Sequence, residues 1–402
     1  MSTARKAKNA DGEPERRLRY FEQRREEMIA TIREVVEHES PSDHKAAADR
    51  LSDTLATKFA ALGGTVRIHP VRDFGNHLQV DFGADSGGKP VLLLGHYDTV
   101  YPLGSLASRP CQLAGNKLTG PGVLDMKTGI ALMLHVLAAF KEWHGQLPRP
   151  ITVLLVSDEE VGSDSSRAIT ESLAKKAAAV LVLEPSYGPK GAVKTARKGV
   201  AEYQVKVTGK AAHAGLDFQK GVNAIVELSR QIEKISNFTD VKKGLTVNVG
   251  MVTGGTRVNV VPAEAMATVD VRIARLRDAA GIDKNIRSLR PLNRKCRIEV
   301  TGGVNRPPME RTLGVAGLYS KAEAIAKDLG WKLEEAAVGG GSDGNFTAGL
   351  GIPTLDGLGA VGDGAHAAHE HILLSELPRR AALLAGLIEA AGETFRPGKF
   401  SK

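Results

Sequence analysis

The sequence predicts an α/β fold, a mostly parallel sheet forming the main domain, with a smaller ferredoxin-like α+β domain inserted into it. Short runs rich in Val and Leu, among them VLLLGH (91–96), ITVLLVSDEE (151–160) and AAAVLVLEP (177–185), read as strands buried on both faces. Helical stretches separate them, and strands alternating with helices imply parallel pairing. From about residue 198 the order becomes βαββαβ, that of a ferredoxin-like sandwich. The boundaries that follow are 1–197 and 306–402 for the two segments of the main domain and 198–305 for the insertion.

Taken in order, the segment to about Gly64 reads as helix. Met28, Ile32, Val35 and Val36 recur at helical spacing, as do Leu51, Leu55, Phe59 and Leu62. HESPSD between the two sets is a turn and a new N-cap. HLQVDFG is the first strand of the reading, and MKTGIALMLHVLAAFKEW (126–143) is a helix. In the insertion, AEYQVKVTG alternates as a half-exposed strand does, followed by the helix VNAIVELSRQIEKI. LTVNVGMVTGG and AEAMATVDVRIAR are strands, LRDAAGIDKNIRSL a helix, and CRIEVTGG the last strand. The chain then closes with the helix LGVAGLYSKAEAIAKDLG, Gly-rich loops, and a helix through LSELPRRAALLAGLIEAA.

Composition excludes several classes. At 402 residues and 42% hydrophobic content, the chain reads as a globular protein of one large or two ordinary domains. Cys111 and Cys296 lie far apart and form no CxxC, which argues against a thiolate metal site and a disulfide framework. No apolar run approaches the roughly 18 residues that span a bilayer. The charged N-terminus has no apolar core behind it, so a secretory signal is not expected and a cytoplasmic location is. The net charge of +8 invites a nucleic-acid partner, but the basic residues look interspersed with acids and aromatics make up only 4%. Neither nucleic acid nor membrane is expected as a partner.

The chemistry gathers after the buried strands. VLLLGHYDTV delivers His96 and Asp98, TVLLVSDEEVGS delivers Glu159 and Glu160, and AVLVLEPS delivers Glu184. Functional groups of open α/β sheets collect beyond the carboxyl ends of strands. Asp125 lies in a Gly/Pro loop just before a helix. Singly, each of these reads equally well as a hydrogen-bonded loop residue, but adjacent carboxylates after an apolar strand call for a cation or a shared proton. Imidazole with several carboxylates and no thiolate suits zinc, with cobalt or manganese as alternatives. Two ions would need a bridging ligand, a role open to Asp125, while Asp98 can orient the His96 ring. One Glu of the 159–160 pair fits a general base. Of His366, His369 and His371, at most one is expected to ligate.

HxDTV, GPGxxDMKxG, DEExGS, a later EP, GxAxHAG and a near-terminal GxGAHxxxE occur in that order. Together they resemble the zinc-dependent exopeptidase and deacylase superfamily that includes bacterial glutamate carboxypeptidase, aminoacylase and succinyl-diaminopimelate desuccinylase. The GGGSDG loop and NVVPAEA…DVRIAR are closest to the glutamate carboxypeptidase branch. The resemblance implies two zinc ions held by His96, Asp125, Glu160, Glu184 and His366, with Asp125 bridging. It implies Glu159 as general base, Asp98 as the residue orienting His96, and a cis peptide at Asp125–Met126. The insertion would be a lid and dimerisation domain, His213 stabilising the oxyanion in the partner's site. Asn259 and Arg272 would bind the substrate carboxylate, with Gly341 and Ser342 of the GGGSDG loop as another wall. His369 departs from the family pattern, where Asn or Asp often precedes the final Glu.

The implied activity is hydrolysis of an amide next to a free carboxylate, in a short peptide or an N-acyl amino acid. An amidohydrolase of N-acyl amino acids or hormone conjugates is the alternative within the fold. A non-catalytic metabolite-binding relative is the alternative outside the enzyme class. GLGAVG (357–362) satisfies the dinucleotide pattern GxGxxG, but no clear apolar helix follows it.

Overall fold

The computed structural model describes residues 12–83 and 87–391. The chain forms two compact units. One comprises the chain to Thr195, Arg311–Ala337 and the chain from Ser342; the other comprises Ala196–Glu310 and Val338–Gly341. The expectations for the first eleven residues lie outside the described residues.

The first unit is built on a six-stranded sheet. Its strands β1 (Thr65–His69), β2 (His77–Phe82), β3 (Val91–His96), β4 (Ile151–Val156) and β5 (Ala179–Val182) lie in the order β1-β2-β4-β3-β5, with Thr354–Leu355 at the far edge. β3 runs parallel to both β4 and β5, and Thr354–Leu355 runs parallel to β5; β2 alone runs against its neighbours. The sheet is thus mostly parallel and the fold mixed α/β, as the sequence predicts. Every residue of β3, β4 and β5 is buried. That explains their continuous apolar composition: helices cover both faces, so no position alternates toward water. The strand β1 was not anticipated, because its pattern TVRIH mixes charges into an exposed edge.

The Thr128–His144 helix is apolar almost all round because it is packed almost all round. With the preceding turn it makes a stretch, Val123–His144, long and apolar enough to cross a membrane by length and composition. Asp125, Lys127 and Lys141 interrupt its apolar residues, so the sequence shows no unbroken run there. Its apolar window is 83% buried within the protein, the signature of a core helix.

In the second unit, β6 (Gly199–Thr208), β7 (Thr246–Gly254), β8 (Glu264–Ile273) and β9 (Arg297–Arg306) form an antiparallel sheet in the order β7-β8-β6-β9. The helices Ala224–Ser236 and Leu276–Arg287 pack on one face. In β6 and β8 strict alternation places Ala201, Tyr203, Val205, Val207, Ala267, Val269 and Val271 inward, so the opposite face is polar. The β7 edge exposes Met251 and Val252.

The GLGAVG segment has a structural use. Gly359 donates its N–H to the carbonyl of Glu184 at 2.8 Å, and a Cβ there would collide with the carbonyls of Leu183 and Glu184. The fully buried Arg380 of the closing helix donates to the carbonyls of Gly359 (2.8 Å), Gly191 (3.0 Å) and Gly357. One guanidinium thereby ties the glycine turn to the strand end carrying Glu184. Replacing Arg380 by Met should cost about 3 kcal/mol or more, since buried carbonyls would lose their donors. Urea unfolding monitored by circular dichroism measures it; a change within about 0.5 kcal/mol, the range of neutral surface substitutions, would refute the role.

Candidate metal centre

The parallel strands set the positions of the first ligating groups. His96 is the last residue of β3, and the β3–β5 register pairs Leu94 with Val182. Two residues further on, Glu184 therefore falls beside His96, and its carboxylate lies 3.3 Å from His96 Nε2. Glu159 and Glu160 sit in the turn just after β4, which pairs Val156 with His96. Asp125 comes from the turn Val123–Lys127 before the core helix, and the Asp125–Met126 peptide is cis.

Asp125 spans two donor sets. Its Oδ1 lies 3.2 Å from His96 Nε2 and its Oδ2 lies 3.4 Å from His366 Nε2. His366 Nε2 is also 3.0 Å from Glu160 Oε2. One set is thus His96, Glu184 and Asp125, and the other is His366, Glu160 and Asp125. Ligand atoms of His96, Glu159 and Glu184, and those of His96, Asp125 and Glu160, lie within 4.8 Å of one another. Of the three C-terminal histidines, His366 is the one joined to the cluster. His369 is exposed near Asp363, and His371 packs its Nδ1 on the His369 carbonyl. His366 adopts a left-handed backbone conformation, φ 62°, at a cost of roughly 1–2 kcal/mol.

The charge balance fits a divalent cation. Burial works against charging His96, yet hydrogen bonds to Asp125, Asp98 and Glu184 hold its pKa well above the usual imidazole value. His366 is pushed up to about 10 by Asp125 and Glu160. Burial raises the Glu160 carboxyl, although His366 pulls against it. Asp125 is held well below the usual carboxylate range by both histidines despite its burial. The carboxylates thus draw positive charge toward the two imidazoles, a demand a cation would meet, and nitrogen and oxygen donors without sulfur suit zinc-like ions.

Supporting hydrogen bonds fix the cluster. Asp98 is fully buried and accepts from Ser42 Oγ at 2.7 Å and from the backbone N–H groups of Glu159 and Glu160 at 3.3 and 3.2 Å. His96 Nδ1 lies 3.0 Å from the carbonyl of Asp98 and 3.4 Å from its carboxylate. Asp98 thus meets the His96 ring and also anchors the turn bearing both glutamates. Glu370, to which the sequence reading assigned no role, accepts from the N–H groups of Gly122 (2.9 Å), Leu124 (2.8 Å) and Asp125 (3.0 Å). Its position four residues after His366 was the available signal; the fold reveals what it holds.

The remaining residues singled out in the sequence lie as follows. His213 is exposed on the two-residue strand Ala212–His213, which pairs with Val260–Val261, and its Nδ1 accepts from the N–H groups of Gly215 and Leu216. That arrangement puts the ring proton on Nε2. The Asn259 carbonyl accepts from Ala214, which brings Asn259 beside His213. Arg272 lies on the polar face of β8, with Nε 3.0 Å from Asp270. The carbonyl of Gly341 receives Arg197 at 3.0 Å. Ser342 is buried with its hydroxyl donated to Asp356 at 2.6 Å, so in this conformation it acts as a loop anchor.

Residues 92–390 match the model of peptidase family M20/M25/M40. Carboxypeptidase G2 of a Pseudomonas species (strain RS-16) is 38% identical over 313 residues, covering 76% of this chain and 75% of that protein. The fold is shared with an aminopeptidase PepT from Bacillus cereus, at TM-score 0.74 and 24% identity over 92% of this chain and 99% of that one. It is also shared with an M20 metallo-carboxypeptidase from Sulfolobus solfataricus, at TM-score 0.73 and 16% identity over 91% and 99%.

Glu370→Gln tests the anchoring of Asp125. An amide cannot accept through both of its heteroatoms, so at least one of the three backbone N–H groups loses its partner. Metal affinity should fall about 10–100-fold, as for other residues that orient ligands. Competition with a chromogenic chelator measures it, and an unchanged affinity would remove Glu370 from this role.

Proposed function

Since the chain belongs to peptidase family M20/M25/M40 and is a metallopeptidase or amidohydrolase, we propose that it is a two-zinc hydrolase of the amide bond in peptidyl or N-acyl amino acids with a free carboxylate. The observation that carries this reading is the Asp125 carboxylate shared between two His–Glu sets, with Glu159 at their edge. Its likeness to carboxypeptidase G2 supports a glutamate carboxypeptidase-like substrate.

In this proposal His96, Glu184 and Asp125 hold one ion, and His366, Glu160 and Asp125 hold the other. When bound, the metal supplies Lewis-acid polarisation of the scissile carbonyl and of the attacking water. Glu159 takes the proton from that water and delivers it to the leaving nitrogen. Asp98 keeps the Glu159 carboxylate in reach by holding its backbone N–H. Arg272 and Asn259 bind the substrate carboxylate, Arg272 through its Nη groups while Nε stays on Asp270. His213 of a second copy donates from Nε2 to the oxyanion, so the working form is a homodimer through the inserted domain.

Glu159→Gln should leave the bound metal unchanged, measured by elemental analysis, while kcat falls about 10²–10⁴-fold. Activity within about twofold of the parent, against that expected loss, would show that Glu159 is not the base. Arg272→Gln should raise KM for N-acyl amino acids roughly 10-fold or more, the loss of a charged hydrogen bond, and leave hydrolysis of the corresponding carboxamides unchanged. Equal loss on both substrates would refute the carboxylate clamp.

A further inference from the structure

The positive charge of this protein is concentrated in one place. Residues 196–310 carry 20 of the 54 Lys and Arg but only 11 of the 46 Asp and Glu, a net of +9, whereas the remainder of the chain nets −1. The net positive charge, though not most of the cations, therefore belongs to the second unit. Within it, residues 275–297 hold eight basic residues against Asp278 and Asp283. All eight are exposed.

We infer that the face formed by the Leu276–Arg287 helix and the 288–297 loop docks on an anionic phospholipid surface. The helix turns Ala279, Ile282 and Ile286 inward and presents Leu276, Ala280, Lys284 and Arg287 as an outward stripe. Asp283 is occupied by Arg287 and by the Tyr203 hydroxyl, at 3.0 and 2.9 Å. By contrast Arg275, Arg277, Lys284, Arg290, Arg294 and Lys295 have no carboxylate within ion-pair distance among the described residues. A protein surface that leaves six cations without counter-charges presents an electrostatic footprint for a polyanion.

Two features choose lipid over nucleic acid. The face carries two exposed leucines among the cations, Leu276 at the start of the helix at 48% exposure and Leu292 in the loop that follows at 68%. Leucines flanked by Arg and Lys suit the boundary of headgroups and acyl chains. The segment also contains no Phe, Tyr or Trp, so it offers no stacking platform for bases. The helix is about 18 Å long at 1.5 Å per residue, too wide a charged face for one small substrate. It packs toward β8 and β9, away from the apolar β7 edge, so pairing through that edge leaves it accessible.

The test is sedimentation of the metal-loaded full chain with vesicles of phosphatidylcholine, alone or mixed with phosphatidylglycerol. Binding is expected to the mixed vesicles only, and to be released as NaCl rises from about 0.05 to about 0.5 M. The triple variant Arg290→Glu, Arg294→Glu, Lys295→Glu should partition at least about 100-fold more weakly. The uncharged change Leu292→Ser should weaken binding about tenfold and provides a second test if the triple variant misfolds, as judged by circular dichroism. Equal binding to both vesicle types, or to neither, overturns the proposal. So does salt-sensitive binding to duplex RNA without vesicle binding, which would make the face a nucleic-acid surface. The readout is independent of turnover, so it stands or falls apart from the catalytic reading.

Discussion

The repulsion among Asp125, Glu159, Glu160 and Glu184, crowded around two imidazoles, is the constraint on which the rest of the molecule depends. Carboxylates this close do not stay ionised together without a compensating charge. The fold brings them together beyond the ends of β3, β4 and β5, where the backbone of a parallel sheet ends and its side chains are free to converge. The carboxylates raise the pKa of both His96 and His366, the same demand for positive charge that a cation would satisfy. With a cation, the same geometry becomes a binding site.

Holding such a cluster requires rigid support, and the structure supplies it from three directions. Asp98 fixes the glutamate turn through two backbone N–H groups. Glu370 fixes the Asp125 loop through three. Arg380 locks the glycine turn that packs on Glu184. Each support is a buried charged side chain satisfied by backbone groups, and none of the three is among the five proposed ligands. The charged group stays buried because its hydrogen bonds offset desolvation, and the backbone it holds is thereby denied alternatives.

Much of this was legible in the chain. The buried strands announced themselves as unbroken Val and Leu runs, because helices cover both faces of the sheet. The βαββαβ order was visible because one face of the second sheet is open, which enforces alternation in β6 and β8. The glycine pattern at 357–362 was visible in the chain, but its packing against Glu184 and Arg380 was out of reach, because no local periodicity marks either partner. The charge asymmetry could have been counted, yet only exposure along the Leu276–Arg287 helix shows it as a face.

The sequence by itself determined the fold class and which residue types end the buried strands, since both follow from local periodicity and from the order of motifs. Local spacing left open which of three neighbouring histidines meets Asp125 and the motif resemblance pointed to His366; the tertiary structure supplies the reason, a left-handed turn that brings its imidazole to Asp125. It alone decided that Ser342 is an anchor in this conformation and that Glu370 holds a loop. The Asp125–His366 and Glu370 contacts join residues far apart in sequence, and even the Ser342–Asp356 bond closes a loop across 14 positions, so no local pattern encodes the distance between partners.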